Sequence, residues 1–355
     1  MELGTAAAAP GTIARGQFAV TDLPTGGEER LPVVLANGAA DGPTVWLTAA
    51  IHGDEVTALA AAQDAMAAID PDTLAGRVVC LPTLNPDGLR RTSRHSSYHG
   101  EDPNRLFPEP ERTDSRPPRV QELIASRVFD AMEDADALLD LHTAQHGSLP
   151  FCIRDRVLYG ESRTEADARA LAADLDGLAR AVGLPVVTEY PAAEYTDRGL
   201  HRSTAGAALN TASIPALTLE LGGPGTVEDC MVGVGVASVF RALVHLGASP
   251  ELPPAVRRGD LPVSAPVEEP VRRYVGPTAE RPGIVRHRVE PGDTVRNGDV
   301  VADVVTPAGE PLDAIESPHD GYVLARQEGV AVYENDPVAS LAVVDDEPLV
   351  APREE

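Results

Sequence analysis

The sequence predicts an α/β sheet with helices on both faces, followed by a small all-β domain, and three observations carry that prediction. Short apolar runs alternate with longer stretches of helical period between residues 44 and 246, which is the pattern of strands and helices in turn. Residues 248–270 (ASPELPPAVRRGDLPVSAPVEEP) are Pro-rich and read as a linker or an extended crossing segment. From residue 271 onward, short Val-rich strands are punctuated by Gly, Asp and Pro turns. The boundaries that follow are 1–247, 248–270 and 271–348.

Residues 44–51 (TVWLTAAI) read as a buried strand ending at His52-Gly53. Asp54 is an acceptable N-cap for the Ala-rich helix EVTALAAAQDAMAAI that follows. Residues 77–84 (RVVCLPTL) form the next strand, closed by a turn at Asn85-Pro86-Asp87-Gly88. Residues 89–118 have no hydrophobic period and are rich in Arg, Ser, His and Pro; a long irregular stretch inside a domain is either functional or disordered. Helices are expected at about 119–133, 163–182, 202–212 and 227–246, and strands at 137–142, 185–189 and 215–221. The last region offers GIVRHRV, VVADVV, SPHDGYVLAR and NDPVASLAVV as strands.

A chain of 355 residues is comfortable for two domains. Hydrophobic residues make up 43% but aromatics only 4%, so the core is built from Ala, Val and Leu. Acidic residues outnumber basic ones 55 to 29, the formal net charge is -26, and there is no lysine. Such a surface repels phosphate backbones and anionic lipid, so neither nucleic acid nor membrane is expected as a partner. The acids are spread along periodic segments, which suits a salt-adapted (halophilic) cytoplasmic protein. Cys80, Cys152 and Cys230 are too few and too scattered for a disulfide framework, the usage of a reducing compartment. Met1 to Gly16 lacks the basic start of a signal peptide, and no apolar run is long enough to cross a bilayer. Oligomeric state is left open, a homo-oligomer included.

Three segments place ligand-type residues at the ends of buried strands. In His52-Gly53-Asp54-Glu55, His52 closes a strand and Glu55 opens a helix, so both can converge on one point. In Leu138-Leu139-Asp140-Leu141-His142, the period of two puts Asp140 and His142 on one face. Two His and one carboxylate, with a position left for water, make the pattern of a catalytic zinc site, one Zn2+ per chain. Asp140 then accepts the free ring N–H of a ligand histidine and fixes its tautomer. The third segment is Leu217-Thr218-Leu219-Glu220-Leu221; a Glu in so apolar a run is costly without a task. Beside an activated water, Glu220 suits a general base. In the irregular segment, Asn104 and Arg105 suit a substrate carboxylate, and Arg90, Arg91 or Arg94 can stabilise an oxyanion.

The ordered set HGDE, NPDG, DPNRLFP, LLDLHTA and TLELGG resembles the succinylglutamate desuccinylase/aspartoacylase family, over roughly residues 30–245 and the C-terminal β region. The resemblance implies a zinc-carboxypeptidase-like mixed sheet flanked by helices, and a deacylase that hydrolyses the amide of an N-acyl amino acid or similar small carboxylate-bearing substrate. It implies His52, Glu55 and His142 as zinc ligands, Glu220 as base and Asn104 with Arg105 as carboxylate binders. It favours Arg94 for the oxyanion, with Arg91 as rival. Pro103 stands where the family usually has Leu, and Tyr333 is a weak match to a family tyrosine. The alternatives are a metallocarboxypeptidase acting on peptides and a non-catalytic metal- or ligand-binding protein. The C-terminal region resembles a biotinyl/lipoyl-type sandwich, but a chain without lysine cannot carry that cofactor, so a role framing the site mouth is expected.

Other candidates read as structural. His146, four residues after His142, follows the end of its strand, and Gly147 comes next. His95, His99, His201, His245, His287 and His319 read as loop or surface residues. Ser203-Thr204 reads as a helix cap, since no GxSxG elbow is present.

Overall fold

The computed structural model describes residues 1–98, 100–109, 116–160, 163–253, 256, 263–327, 329 and 331–353. His99 and most of the Pro-rich stretch between 254 and 262 lie outside the described residues. Among the described residues, twelve strands form one mixed sheet. Its centre holds Ala40–Ala49 flanked by Ala75–Leu81 on one side and Ala137–His142 on the other, all parallel. Ala216–Glu220 extends it in parallel beyond Ala137–His142. Phe151–Arg154 then pairs antiparallel to Ala216–Glu220 and parallel to Val186–Thr188. On the opposite side, Thr12–Asp22 and Glu28–Asn37 form an antiparallel hairpin against Ala75–Leu81.

Chain order turns round at Ala40–Ala49: the next strand lies on one side, and the one after it on the other. Right-handed crossovers therefore send the helix Val56–Ala68 to one face and Val120–Ala131 to the other. The crevice outside the carboxyl ends of strands at such a reversal is where open α/β sheets hold ligands. His52 follows one of the two central strands and His142 ends the other.

The helix Val56–Ala68 buries Ala58, Ala61, Ala62, Ala65 and Met66. Asp229–His245 packs against it at Gly235, where a Cβ would come within 2.8 Å of the Ala61 Cβ. Small residues on both helices thus allow them to approach closely. Two local expectations are corrected. Glu55, not Asp54, occupies the N-cap of the Val56–Ala68 helix, and it makes no side-chain cap bond. Asn85-Pro86-Asp87-Gly88 opens a short helix, Pro86–Arg91, with Asn85 accepting from the Gly88 amide. A capping Asn followed by Pro at the first helical position serves a helix start as well as a turn.

The all-β region does not stand apart. Val271–Val275 pairs with Val186–Thr188 on one side and with Ala339–Val344 on the other, so the main sheet runs on into it. A shared cluster joins Phe151, Ile153 and Val187 to Val271, Tyr322 and Leu324. Further along, Val350–Pro352 returns to pair with Val157–Tyr159. There the fully buried Arg156 bonds Asp345 at 2.9 Å and donates to the carbonyls of Glu347 and Pro348. No helix among the described residues is long and apolar enough to cross a membrane.

Candidate active site

His52, Glu55 and His142 are buried together, with a potential ligand atom of each within 4.8 Å of the others. The backbone prepares this meeting. Ala50 adopts φ 45°, a left-handed conformation rare for a residue with a Cβ, just before His52. The Gly53 amide donates to the Arg94 carbonyl at 3.4 Å, and its Cα lies so close to Gly88 that a Cβ would meet the Gly88 carbonyl carbon at 2.0 Å. Only glycine fits that approach.

Glu55 serves the two histidines in place of the helix amides. Its Oε1 lies 2.7 Å from His52 Nδ1 and its Oε2 lies 3.0 Å from His142 Nδ1. The outward nitrogens are each held by another carboxylate. Asp140 Oδ2 is 2.8 Å from His142 Nε2, and its other oxygen accepts from the Thr48 hydroxyl at 2.7 Å. Asp102 Oδ1 is 3.0 Å from His52 Nε2 and also caps the Asn104 amide. The two Nδ1 atoms thus converge on Glu55 while both rings are locked from behind.

Burial works against charge on Glu55, but His142 and His52 outweigh it and hold its carboxyl well below the usual range. Asp102 is likewise held low despite burial, by His52, Arg94 and Arg105. Burial opposes protonation of both histidines, yet the surrounding carboxylates raise the pKa of each. So much stored affinity for positive charge on a set of two imidazoles and a carboxylate fits a metal ion, which can replace the protons.

Glu220 pairs in register with His142 on the neighbouring strand. It is buried, its Oε2 has no hydrogen-bond partner among the described residues, and burial raises its pKa against the pull of His142 and Arg273. His52, Glu55, His142 and Glu220 all line one cavity of about 340 Å³.

The structure also sorts the arginines. Arg90 pairs with Glu29 and Asp87, and Arg91 with Asp87, whereas Arg94 lines the cavity, 3.6 Å from Glu55 and 3.3 Å from Asp102. Asn104 and Arg105 line it too, in a short 3-10 turn opened by Pro103. Part of each is used for bracing: Asn104 Oδ1 accepts from the Thr204 amide and hydroxyl, and Arg105 donates to the carbonyls of Asn104 and Arg198.

His146 is half-exposed and lies 3.3 Å from Glu228, and Tyr333 is 76% exposed, away from the cavity. His201, expected at the surface, is instead buried against Glu109 at 3.2 Å. Ser203 caps its helix by accepting from the Gly206 amide. The sequence reading missed Asp102 as the partner of His52, and it missed Asp155, Glu189 and Arg273, which also line the cavity. Arg273 donates to Glu189 at 3.0 Å. One available signal was its place in a strand, VRRY, where alternation must turn one of two adjacent arginines inward.

A sequence profile described as the Succinylglutamate desuccinylase/Aspartoacylase catalytic domain matches residues 41–246. The N-alpha-acetyl-L-2,4-diaminobutyric acid deacetylase of Halomonas elongata is 28% identical over 333 residues, covering 90% of this chain and 87% of that protein. Among solved structures, a succinylglutamate desuccinylase/aspartoacylase from Rhodobacter sphaeroides superposes with a TM-score of 0.73 at 24% identity, covering 94% of this chain and 95% of its own. The product-bound ectoine utilization protein EutE (DoeB) from Ruegeria pomeroyi has the same fold, with a TM-score of 0.73, 20% identity, and coverage of 97% of this chain and 100% of its own. With the profile spanning more than half of its length, the chain belongs to the succinylglutamate desuccinylase/aspartoacylase family.

Proposed function

We propose that the protein is a zinc-dependent deacylase that hydrolyses the amide bond of a small N-acyl amino acid. One observation carries the reading: the buried carboxylate of Glu220, with a free oxygen, stands in register beside His142 and therefore beside the His52–Glu55–His142 cluster. His52, Glu55 and His142 would hold the zinc. When bound, zinc acidifies water and polarises a carbonyl.

The remaining work belongs to the chain. Glu220 takes a proton from the attacking water and returns it to the nitrogen of the departing amine. Its raised pKa favours the first transfer, since the carboxylate of a weaker acid accepts a proton more readily. Arg94 stabilises the negative charge that develops on the carbonyl oxygen. Arg105, together with Asn104, anchors a carboxylate of the substrate. Asp140 and Asp102 keep His142 and His52 in one ring orientation.

A cavity of about 340 Å³ favours a small substrate over a peptide. The name of the Halomonas elongata relative makes N-alpha-acetyl-L-2,4-diaminobutyric acid the first compound to assay. Purified protein loaded with zinc should release free amine from N-acetyl or N-succinyl amino acids. Absence of turnover across such a panel, at low and molar salt, sinks the proposal.

A further inference from the structure

Asp155 is a buried carboxylate that the reaction leaves without a task. It follows the Phe151–Arg154 strand, is 6% exposed, and lines the same cavity as the cluster. The Tyr195 hydroxyl hydrogen-bonds its side chain. Its Oδ2, however, has no hydrogen-bond partner among the described residues.

Among the described residues no arginine forms an ion pair with Asp155, although the charges of Arg105 and Arg273 are felt there. Arg273 bonds Glu189, Arg105 donates to two carbonyls, and Arg156, next in the chain, is spent on Asp345. A buried carboxylate with one idle oxygen and no ion-pair partner among the described residues is costly to the fold. Burial, with the charge of Glu189 nearby, pushes its acid up to about 8. Such an environment rejects a substrate carboxylate and rewards a cation that brings several N–H donors.

We infer that Asp155, with Glu189 beside it, forms a subsite for a primary ammonium on the amine half of the substrate, so that acylated diamino acids are preferred over neutral or acidic ones. The inference rests on the deacylase reading and deepens it. Arg105 and Asn104 take the carboxylate, the His52–Glu55–His142 cluster faces the amide, and Asp155 takes the far ammonium. One cavity lined by all of these groups imposes recognition of a zwitterionic ligand.

The test compares binding of 2,4-diaminobutyrate and 2-aminobutyrate, which differ in the terminal ammonium, to the zinc-loaded full chain by titration calorimetry. The diamino acid should bind at least ~10-fold more tightly, the value of one charge-assisted hydrogen bond. Asp155→Asn should collapse that ratio to below ~2, and Asp155→Ser provides a second, smaller replacement. A ratio already below ~2 in the wild type, or one retained in both variants, overturns the assignment. Turnover of the two N-acetyl derivatives is measured alongside. If neither is hydrolysed while the binding ratio holds and depends on Asp155, the subsite stands and the deacylase reading falls.

Discussion

Glu220 and His142 occupy paired positions on adjacent parallel strands, so their side chains leave the sheet on the same face, one strand spacing apart. The register brings a carboxylate whose Oε2 has no hydrogen-bond partner among the described residues to the metal-type cluster, and it requires no loop to place it. Glu220→Gln keeps size and hydrogen-bonding capacity but cannot accept a proton. Its kcat should fall on the order of 100-fold or more while zinc content stays the same. Unchanged turnover at full metal occupancy removes Glu220 from proton transfer.

The carboxylates behind the two rings should govern metal affinity. Metal analysis of the native protein should find about one zinc per chain. Asp102→Asn and Asp140→Asn should each weaken zinc binding by ~10–100-fold, measured by competition with a chromogenic chelator. An Asp102→Asn variant with native affinity would show that its contact with His52 is incidental.

The approach of Gly53 to Gly88 leaves no room for a methyl group. Gly53→Ala should push the His52–Glu55 turn off the Pro86–Arg91 helix, lower the Tm, and reduce zinc affinity by at least ~10-fold by separating the ligands. Native values for both would mean that the turn relaxes at no cost.

Asp155 should also make stability depend on pH. Its folded-state pKa of about 8 lies well above that of an unfolded carboxyl, about 3.9. Between those values the folded state holds a proton that the unfolded chain has released, so its contribution to stability declines as pH rises through the window. Asparagine has no such proton to lose. Asp155→Asn should therefore raise the Tm by a few degrees at pH 8 and by less at pH 5, read by scanning calorimetry without ligand. An equal difference at both values contradicts the sign. Gain of stability on removing a functional charge is the usual trade at a binding site.

A net charge of -26 repels itself through any medium that does not screen it. Raising salt from ~0.1 M to molar levels shortens the screening length from ~10 Å to ~3 Å, so the Tm should rise. A Tm that is flat or falls over that range ends the salt-adapted reading.

Much of the site was legible because the sheet is built of apolar runs. Against such runs, His52, His142 and Glu220 stand out as polar residues placed at strand ends, and a period of two assigns Asp140 its face. What escaped was set by contacts between distant segments. Asp102 reaches His52 from an irregular stretch that carries no periodic signal. Asp155, Glu189 and Arg273 meet only because Val186–Thr188 lies between Phe151–Arg154 and Val271–Val275, and no local pattern encodes that order. Asp54 looked the better cap because cap preference measures hydrogen bonding to helix amides. Glu55 holds the position while its carboxylate serves the two rings instead.

The C-terminal β region is fastened to the rest of the chain at two separated points, through Val271–Val275 near its start and Val350–Pro352 after its end. A body hinged at one point can swing; one clamped at both ends cannot without tearing a strand from its neighbour. Arg273, Ala325, Gln327 and Ser340, which this region contributes to the cavity wall, are therefore fixed masonry and not a door.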